Sequence, residues 1–288
     1  MHDNETSPVP AQLLGATLPS AGTLSHFTTG DGVRIAYRED GSPTRPALVL
    51  SNSIGTTLDM WGLQVPAFAE HFRVIRYDFR GHGASDVPAG AYSDARLGRD
   101  VLELLDHLGI ARAHFLGLSL GGFVGQWLGI HAPERIERLV LSNTAAHLGP
   151  PDAWDSAIAG ILAAPDMAET AEMFLANWFP KAVIEAEAPI VAQFREQLLR
   201  TSPRGLAGCL AVVRDTDLRR TIALIPNETL VIAGRFDTVT SAERGEEIAR
   251  TIPGASLVML PAVHLPNVEL AEQYSAAVIE FLTGAGGA

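Results

Sequence analysis

Disulfides are excluded at once: the 288-residue chain holds a single cysteine, Cys209, and one thiol cannot close an intrachain bridge. That usage suits a reducing cytoplasm, where the protein is expected to work. Uncharged apolar runs long enough to cross a bilayer are missing too, and the stretch at 157–164 stops at Pro165. Asp3 and Glu5 stand where a secretion signal would be basic, and no long apolar core follows before residue 24, so no signal peptide is expected. Basic charge is scarce, with 21 Lys and Arg against 33 Asp and Glu and a formal net charge of -12. A field of that sign repels nucleic acid and anionic membranes, which leaves a small molecule as the expected partner. No grouping of His, Cys and carboxylates has metal-ligand spacing, so no metal is expected. Internal repeats and low-complexity tracts are likewise lacking.

What is present is enough apolar content, 47%, for one substantial core. Short apolar runs bounded by turn residues recur at 47–50, 74–77, 113–118, 139–141, 229–233 and 256–260, and each predicts a buried strand. Helical periodicity occupies 97–108, 120–130, 241–251 and 270–282. This alternation predicts an α/β fold with a mostly parallel twisted sheet flanked by helices. Asp31-Gly32 inside 27–37 is a turn signal and predicts an antiparallel start. Between 149 and about 226 strand signals vanish, and amphipathic stretches such as 190–199 follow one another. Residues 150–226, bounded by Pro150-Pro151 and Pro226, are therefore expected to form a helical cap that sets substrate choice. The core is assigned to 25–149 and 227–288. Residues 1–24, rich in Pro, Ser and Gly at their start, are expected to be a disordered or strap-like tail.

Gly117-Leu118-Ser119-Leu120-Gly121 matches G-x-S-x-G between a predicted strand and a predicted helix, the context in which this pentapeptide makes a nucleophile elbow. The bare pattern arises often by chance; the flanking strand and helix give it weight. A turn this sharp brings strand and helix so close that the residues two before and two after the serine must be small, and both are glycine. The expectation is an α/β-hydrolase fold with Ser119 as nucleophile. The helix starting after Ser119 directs free backbone N–H groups at the reacting centre, and the Leu120 N–H is assigned as one oxyanion donor.

A serine needs a base, and in this architecture the acid and then the histidine follow it in chain order. His264 lies just after the strand at 256–260, in a loop at the carboxyl edge of the sheet, and is assigned as the base. Asp237 follows the strand at 229–233 through Gly234-Arg235-Phe236 and is assigned as the orienting acid, with capping before Ser241 as a role that could coexist. Asp215 and Asp217 rank below it because no strand precedes them. The second oxyanion donor is expected in the loop Ser51-Asn52-Ser53-Ile54-Gly55-Thr56, from the Ile54 N–H, against the blander reading of an ordinary polar turn. Arg80-Gly81-His82-Gly83-Ala84-Ser85 fits neither a dinucleotide nor a P-loop fingerprint and is expected to make a tight turn that braces the sheet edge.

On these residues the chain resembles the β-ketoadipate (3-oxoadipate) enol-lactonases, a branch of the α/β hydrolases, over nearly its whole length after the tail. The resemblance is carried by Leu50-Ser51-Asn52-Ser53-Ile54-Gly55-Thr56, Arg76-Tyr77-Asp78-Phe79-Arg80-Gly81-His82-Gly83, the elbow with Gly125-Gln126-Trp127-Leu128-Gly129, and Ala262-Val263-His264-Leu265-Pro266-Asn267-Val268-Glu269. Asn177-Trp178-Phe179 and Val212-Val213-Arg214-Asp215-Thr216-Asp217 also look like that family's cap. The tail, which is longer than usual, and the segment 204–209 depart from the pattern. The resemblance implies hydrolysis of an enol-lactone to β-ketoadipate in the bacterial breakdown of aromatic acids, through an acyl-enzyme on Ser119 and without a cofactor.

A lactone of that kind carries a carboxylate, which a chain of net negative charge must meet with a local cation or donor. Arg214 and His147 are candidates for this contact, with Asn52 as a further polar contact and Trp178 as an apolar wall. Against these stand a surface ion pair for Arg214 and plain core packing for Trp178. A haloalkane dehalogenase or epoxide hydrolase would place aspartate at the elbow, where this chain has Ser119. A general esterase, an acyl-homoserine lactonase or a cofactor-free perhydrolase would use the same three residues. A ligand receptor without turnover is disfavoured by the intact set.

Overall fold

A computed structural model describes residues 11–19 and 22–284. Its centre is an eight-stranded sheet ordered β1-β2-β4-β3-β5-β6-β7-β8. The strands are β1 (Ser25–Thr28), β2 (Arg34–Asp40), β3 (Ala47–Ser51), β4 (Arg73–Tyr77), β5 (Ala113–Leu118), β6 (Ile136–Ser142), β7 (Thr229–Gly234) and β8 (Ser256–Leu260). β2 pairs antiparallel with both β1 and β4, and the neighbours from β4 onward pair parallel. The expected hairpin is present, with Gly32 in the left-handed region at φ +83°. β3, β5 and β7 are buried along their whole length, which is why they read as continuous apolar runs and not as alternating ones.

Helices α1 (Val65–Ala69), α2 (Asp94–His107) and α3 (Leu120–His131) follow β3, β4 and β5. α2 begins three residues before its apolar stripe because the Ser93 side chain caps it, accepting from the Arg96 N–H. Its stripe of Leu97, Val101, Leu104 and Leu105 faces the core. Five helices then lie between β6 and β7: α4 (Pro151–Ala163), α5 (Ala168–Trp178), α6 (Lys181–Glu185), α7 (Pro189–Arg200) and α8 (Pro203–Asp215). The chain closes with α9 (Ala242–Thr251), α10 (Pro266–Glu269) and α11 (Ala271–Thr283). The helical insertion touches loops at the carboxyl ends of the strands: a Cβ on Gly55 would sit 3.1 Å from Leu198, and one on Gly81 would sit 2.5 Å from the Gly205 Cα. Among the described residues no helix is long and apolar enough to cross a membrane.

Part of the tail is a strap. Residues Ala11–Gly15 form a short 3-10 helix, Leu13 and Leu18 are buried, and the Leu18 N–H donates to Gln193 Oε1 on α7 at 2.7 Å. The rest of the expected tail, 1–10 and 20–21, lies outside the described residues.

The turn at Arg80 locks the sheet edge with buried charge. Arg80 donates to both Asp100 oxygens at 2.7 and 2.6 Å and to Asp31 at 2.9 Å, joining the hairpin tip to α2. Asp100 is 2% exposed, and Arg96 at 3.0 Å is its other cation. Arg80→Leu is expected to lower stability by about 3 kcal/mol, because it leaves a buried carboxylate short of its main partner. Arg80→Leu with Asp100→Leu should recover much of that loss, as read from urea midpoints of the three proteins.

Candidate active site

Ser119 stands between β5 and α3 at φ +57° and ψ -114°, a conformation that a non-glycine residue holds only when its surroundings impose it. The imposition is visible on both sides. The Ser119 N–H donates to the Ser142 carbonyl at 3.0 Å, its carbonyl accepts from Thr144 Oγ1 at 2.8 Å, and the Gly121 N–H donates to the Asn52 carbonyl at 3.0 Å. A Cβ on Gly117 would lie 2.1 Å from the Gly121 carbonyl oxygen, and one on Gly121 would lie 2.2 Å from that of Ser51. Side chains are therefore barred at the two positions where the pentapeptide has glycine.

His264 and Asp237 arrive from the loops after β8 and β7. His264 Nδ1 is 2.9 Å from Asp237 Oδ2, and both residues are buried. Oδ2 also accepts from Thr240 Oγ1 at 2.7 Å and Asn143 Nδ2 at 2.9 Å, while Oδ1 accepts the Val239 and Thr240 N–H groups at 2.8 and 3.0 Å. Burial pushes the Asp237 carboxyl up, but the His264 charge and the hydrogen bonds of His264, Thr240 and Asn143 outweigh it and hold the group below its ordinary value. Asp237 stays ionised, and its His264 partner is fixed with Nδ1 protonated. The two N–H groups on Oδ1 belong to the loop ahead of α9, whose N-cap is Ser241, so Asp237 braces its own loop and does not cap the helix. Among the described residues no hydrogen bond joins Ser119 Oγ to His264. Such bonds are commonly long before substrate binds and tighten in the complex.

The loop after β3 is fastened at nearly every residue. Ser53 N–H contacts Met60 Sδ at 3.3 Å, Gly55 N–H donates to His82 Nε2 at 3.0 Å, Thr56 N–H donates to the Ser53 carbonyl at 3.3 Å, and Leu58 N–H donates to Asp78 Oδ1 at 2.7 Å. Among the described residues the Ile54 and Leu120 N–H groups have no acceptor.

The remaining candidates fare differently. The expectation that Asn52 touches a ligand is corrected: its side chain is fully buried, donates to the Tyr77 carbonyl and accepts from Trp61 Nε1, both at 2.8 Å, and so fastens the loop from beneath. Arg214 is corrected as a free cation, since Asp155 and Asp215 each hold its guanidinium at 2.7 Å. Asp215 and Asp217 are engaged with Arg214 and Arg219 and stand apart from His264. His147 pairs with Asp217 in an isolated bridge, with its Nδ1 3.2 Å from the Thr216 carbonyl, at the stem of the helical insertion. Trp178 packs against Phe174 and Phe194, and its ring edge comes within reach of Gly55. Among the described residues no group of three or more His, Cys, Asp or Glu is placed to hold a metal ion. A cavity of about 840 Å³, lined by Ala47, Ala113, Glu228 and Asn227, opens at the amino ends of the strands, the edge opposite Ser119.

Sequence reasoning missed the supports: Asn143, Thr144, Thr240 and the acceptor role of His82. The signal for the first two was a polar pair directly after an apolar strand, at the sheet edge that carries Ser119. His82 is buried, and burial pushes its imidazole down to about 4 against an opposing contact with the Arg80 carbonyl. The unfolded chain takes up this proton near the ordinary value of 6.5, whereas the folded ring stays neutral down to about 4. Between these values the unfolded state binds more protons, so the stability that neutral His82 supplies is complete above 6.5 and is lost as pH falls to 4. Over that range the wild type is expected to lose up to about 3 kcal/mol more than His82→Gln, as measured by urea midpoints at each pH.

The chain is similar to known proteins over most of its length. Residues 46–269 match the family model for the alpha/beta hydrolase fold. The chain is 40% identical over 250 residues to 3-oxoadipate enol-lactonase 2 of Acinetobacter baylyi, covering 87% of this chain and 93% of that protein. It superposes on the crystal structure of a hydrolase from Pseudomonas aeruginosa with a TM-score of 0.90 and 60% identity, over 93% of this chain and all (100%) of that one. The enol-lactonase of Burkholderia xenovorans LB400 follows with a TM-score of 0.87 and 39% identity, over 90% and 100% of the two chains. With a family model matching residues 46–269 and a relative 40% identical over 87% of its length, the chain belongs to the α/β-hydrolase fold family.

Proposed function

We propose that the protein is a serine hydrolase that opens the ester bond of a small lactone, and that its substrate is 3-oxoadipate enol-lactone in the breakdown of aromatic compounds. The observation that carries this reading is the convergence on one sheet edge of a strained Ser119, the Asp237–His264 pair and two N–H groups without acceptors. The likeness to two enol-lactonases over most of the chain supports the substrate.

In this mechanism Ser119 Oγ attacks the lactone carbonyl as His264 Nε2 takes its proton. The negative charge that develops on the carbonyl oxygen is met by the Ile54 and Leu120 N–H groups, which lack acceptors among the described residues and belong to segments held by the bonds around them. Collapse breaks the ring C–O bond, and His264 returns its proton to the departing enol oxygen. That oxygen leaves as part of the same molecule, because the ester was cyclic; the enol becomes a ketone by tautomerisation. Water activated by His264 then hydrolyses the acyl ester, releasing a carboxylate and restoring Ser119. Asp237 stabilises the imidazolium at both stages and does not take the proton. The helical insertion serves as the cap of the site, with Trp178 as an apolar wall. A single cysteine, Cys209, fits operation in the cytoplasm.

The test is hydrolysis of 3-oxoadipate enol-lactone beside p-nitrophenyl acetate, followed by absorbance for wild type, Ser119→Ala and Asp237→Asn. Wild type is expected to turn over the lactone efficiently, Ser119→Ala to lose the activity, and Asp237→Asn to fall by about 10⁴-fold in kcat. Ester turnover without lactone turnover would discard the substrate, and lactone turnover that survives Ser119→Ala would discard the nucleophile.

A further inference from the structure

We infer that Asn143 is a positioning residue for the hydrolysis, whose side-chain amide holds the Asp237 carboxylate and the His264 loop in register with the Ser119 elbow. This rests on the assignment of those three residues above. Asn143 is the first residue after β6, is 1% exposed and has φ +41°. Among the described residues only Ser119, Asn143 and Glu187 are non-glycine residues with positive φ. Two of the three therefore sit in one hydrogen-bonded unit. A left-handed backbone costs an ordinary residue about 1–2 kcal/mol, and asparagine tolerates it better than most.

Both amide hydrogens are used. Asn143 Nδ2 donates to Asp237 Oδ2 at 2.9 Å and to the carbonyl of Val263, the residue before His264, at 3.1 Å. Oδ2 is the same oxygen that meets His264 Nδ1. Both neighbours are acceptors only, so the amide must present its nitrogen to them, and a carboxylate at this position would repel both. The amide oxygen accepts from Ser142 Oγ at 3.2 Å. On either side of Asn143, the Ser142 carbonyl and Thr144 Oγ1 hold the two backbone polar groups of Ser119. Three consecutive residues thus bind the nucleophile's backbone and, through one side chain, the acid and the loop of the base. Those groups follow three different strands; the backbone on either side of Asn143 holds one of them, and the Asn143 side chain joins the other two to it. It touches no reacting atom; it acts through Asp237 and His264.

Asn143→Gly separates this role from a merely structural one, because glycine adopts the positive φ freely and only the amide is lost. The expected result is a fall in kcat of roughly 10- to 100-fold with KM changed less than about 3-fold, and an equal slowing of Ser119 labelling by a fluorophosphonate probe. A melting curve establishes that the variant is folded. Asn143→Asp places a second carboxylate beside Asp237, and such a pair shares a proton. That proton supplies the missing donor at low pH and is lost as pH rises, so kcat of this variant should decline with rising pH across a range where wild type is level. A kcat and labelling rate within about 2-fold of wild type for folded Asn143→Gly, or a wild-type-shaped pH profile for Asn143→Asp, would overturn the inference. Wild type that does not label with the probe would instead overturn the nucleophile assignment, and this inference with it.

Discussion

The rest of the molecule is arranged around a serine held in a left-handed backbone conformation where β5 meets α3. A strain of that kind, worth on the order of 1–3 kcal/mol, survives only if neighbouring elements over-determine it. Here the loop after β3 supplies the Asn52 carbonyl for Gly121, β6 supplies the Ser142 carbonyl for Ser119, and Thr144 closes the other side. Each contact needs the strand and helix to approach more closely than a side chain allows, which is the physical reason for Gly117 and Gly121. The strain sets the Ser119 hydroxyl at the carboxyl edge of the sheet, on the side to which the loops after β7 and β8 bring Asp237 and His264.

The same edge shows how a polar loop is made stiff without secondary structure. Residues after β3 are tied to Tyr77, Trp61, Met60, His82 and Asp78, and these ties are almost all buried. Burial drives Asp78 up to about 6 and His82 down to about 4, against the pull of the backbone groups each one touches. Each departure is in the sense that favours the neutral form, as a water-poor surrounding requires. The loop owes its rigidity to that dry packing, and rigidity is what the proposed oxyanion role of the Ile54 N–H requires, since a donor that must move at the moment of reaction loses most of its advantage.

Above this edge the helical insertion contributes mainly aromatic and aliphatic surface. Trp178, Phe174, Phe179 and Phe194 form one aromatic cluster, and Leu198 and Trp178 face Gly55. Its cations are largely engaged: Arg214 by Asp155 and Asp215, Arg195 by Glu172, and Arg200 by Glu196. A strap from the amino-terminal segment fixes the insertion further, through Leu18 and Gln193.

Local chemistry was legible in the sequence. The elbow announced itself because its constraint is short-range, with glycines two residues either side of Ser119, and the hairpin because Asp31-Gly32 permits only a tight reversal. The buried parallel strands were visible as apolar runs, and their carboxyl ends pointed to Asp237 and His264, which the fold brings to 2.9 Å. The supporting contacts were hidden because their partners are far apart along the chain: Asn143 lies 94 residues from Asp237, and Gly55 lies 27 from His82. Asn52 and Arg214, chosen by residue type, proved to be committed to Trp61 and Tyr77 and to Asp155 and Asp215. Residue type and spacing determined which groups could react; which polar groups are spent on one another was decided only by the tertiary structure, because burial forces each to find a partner and that choice depends on what folding brings near.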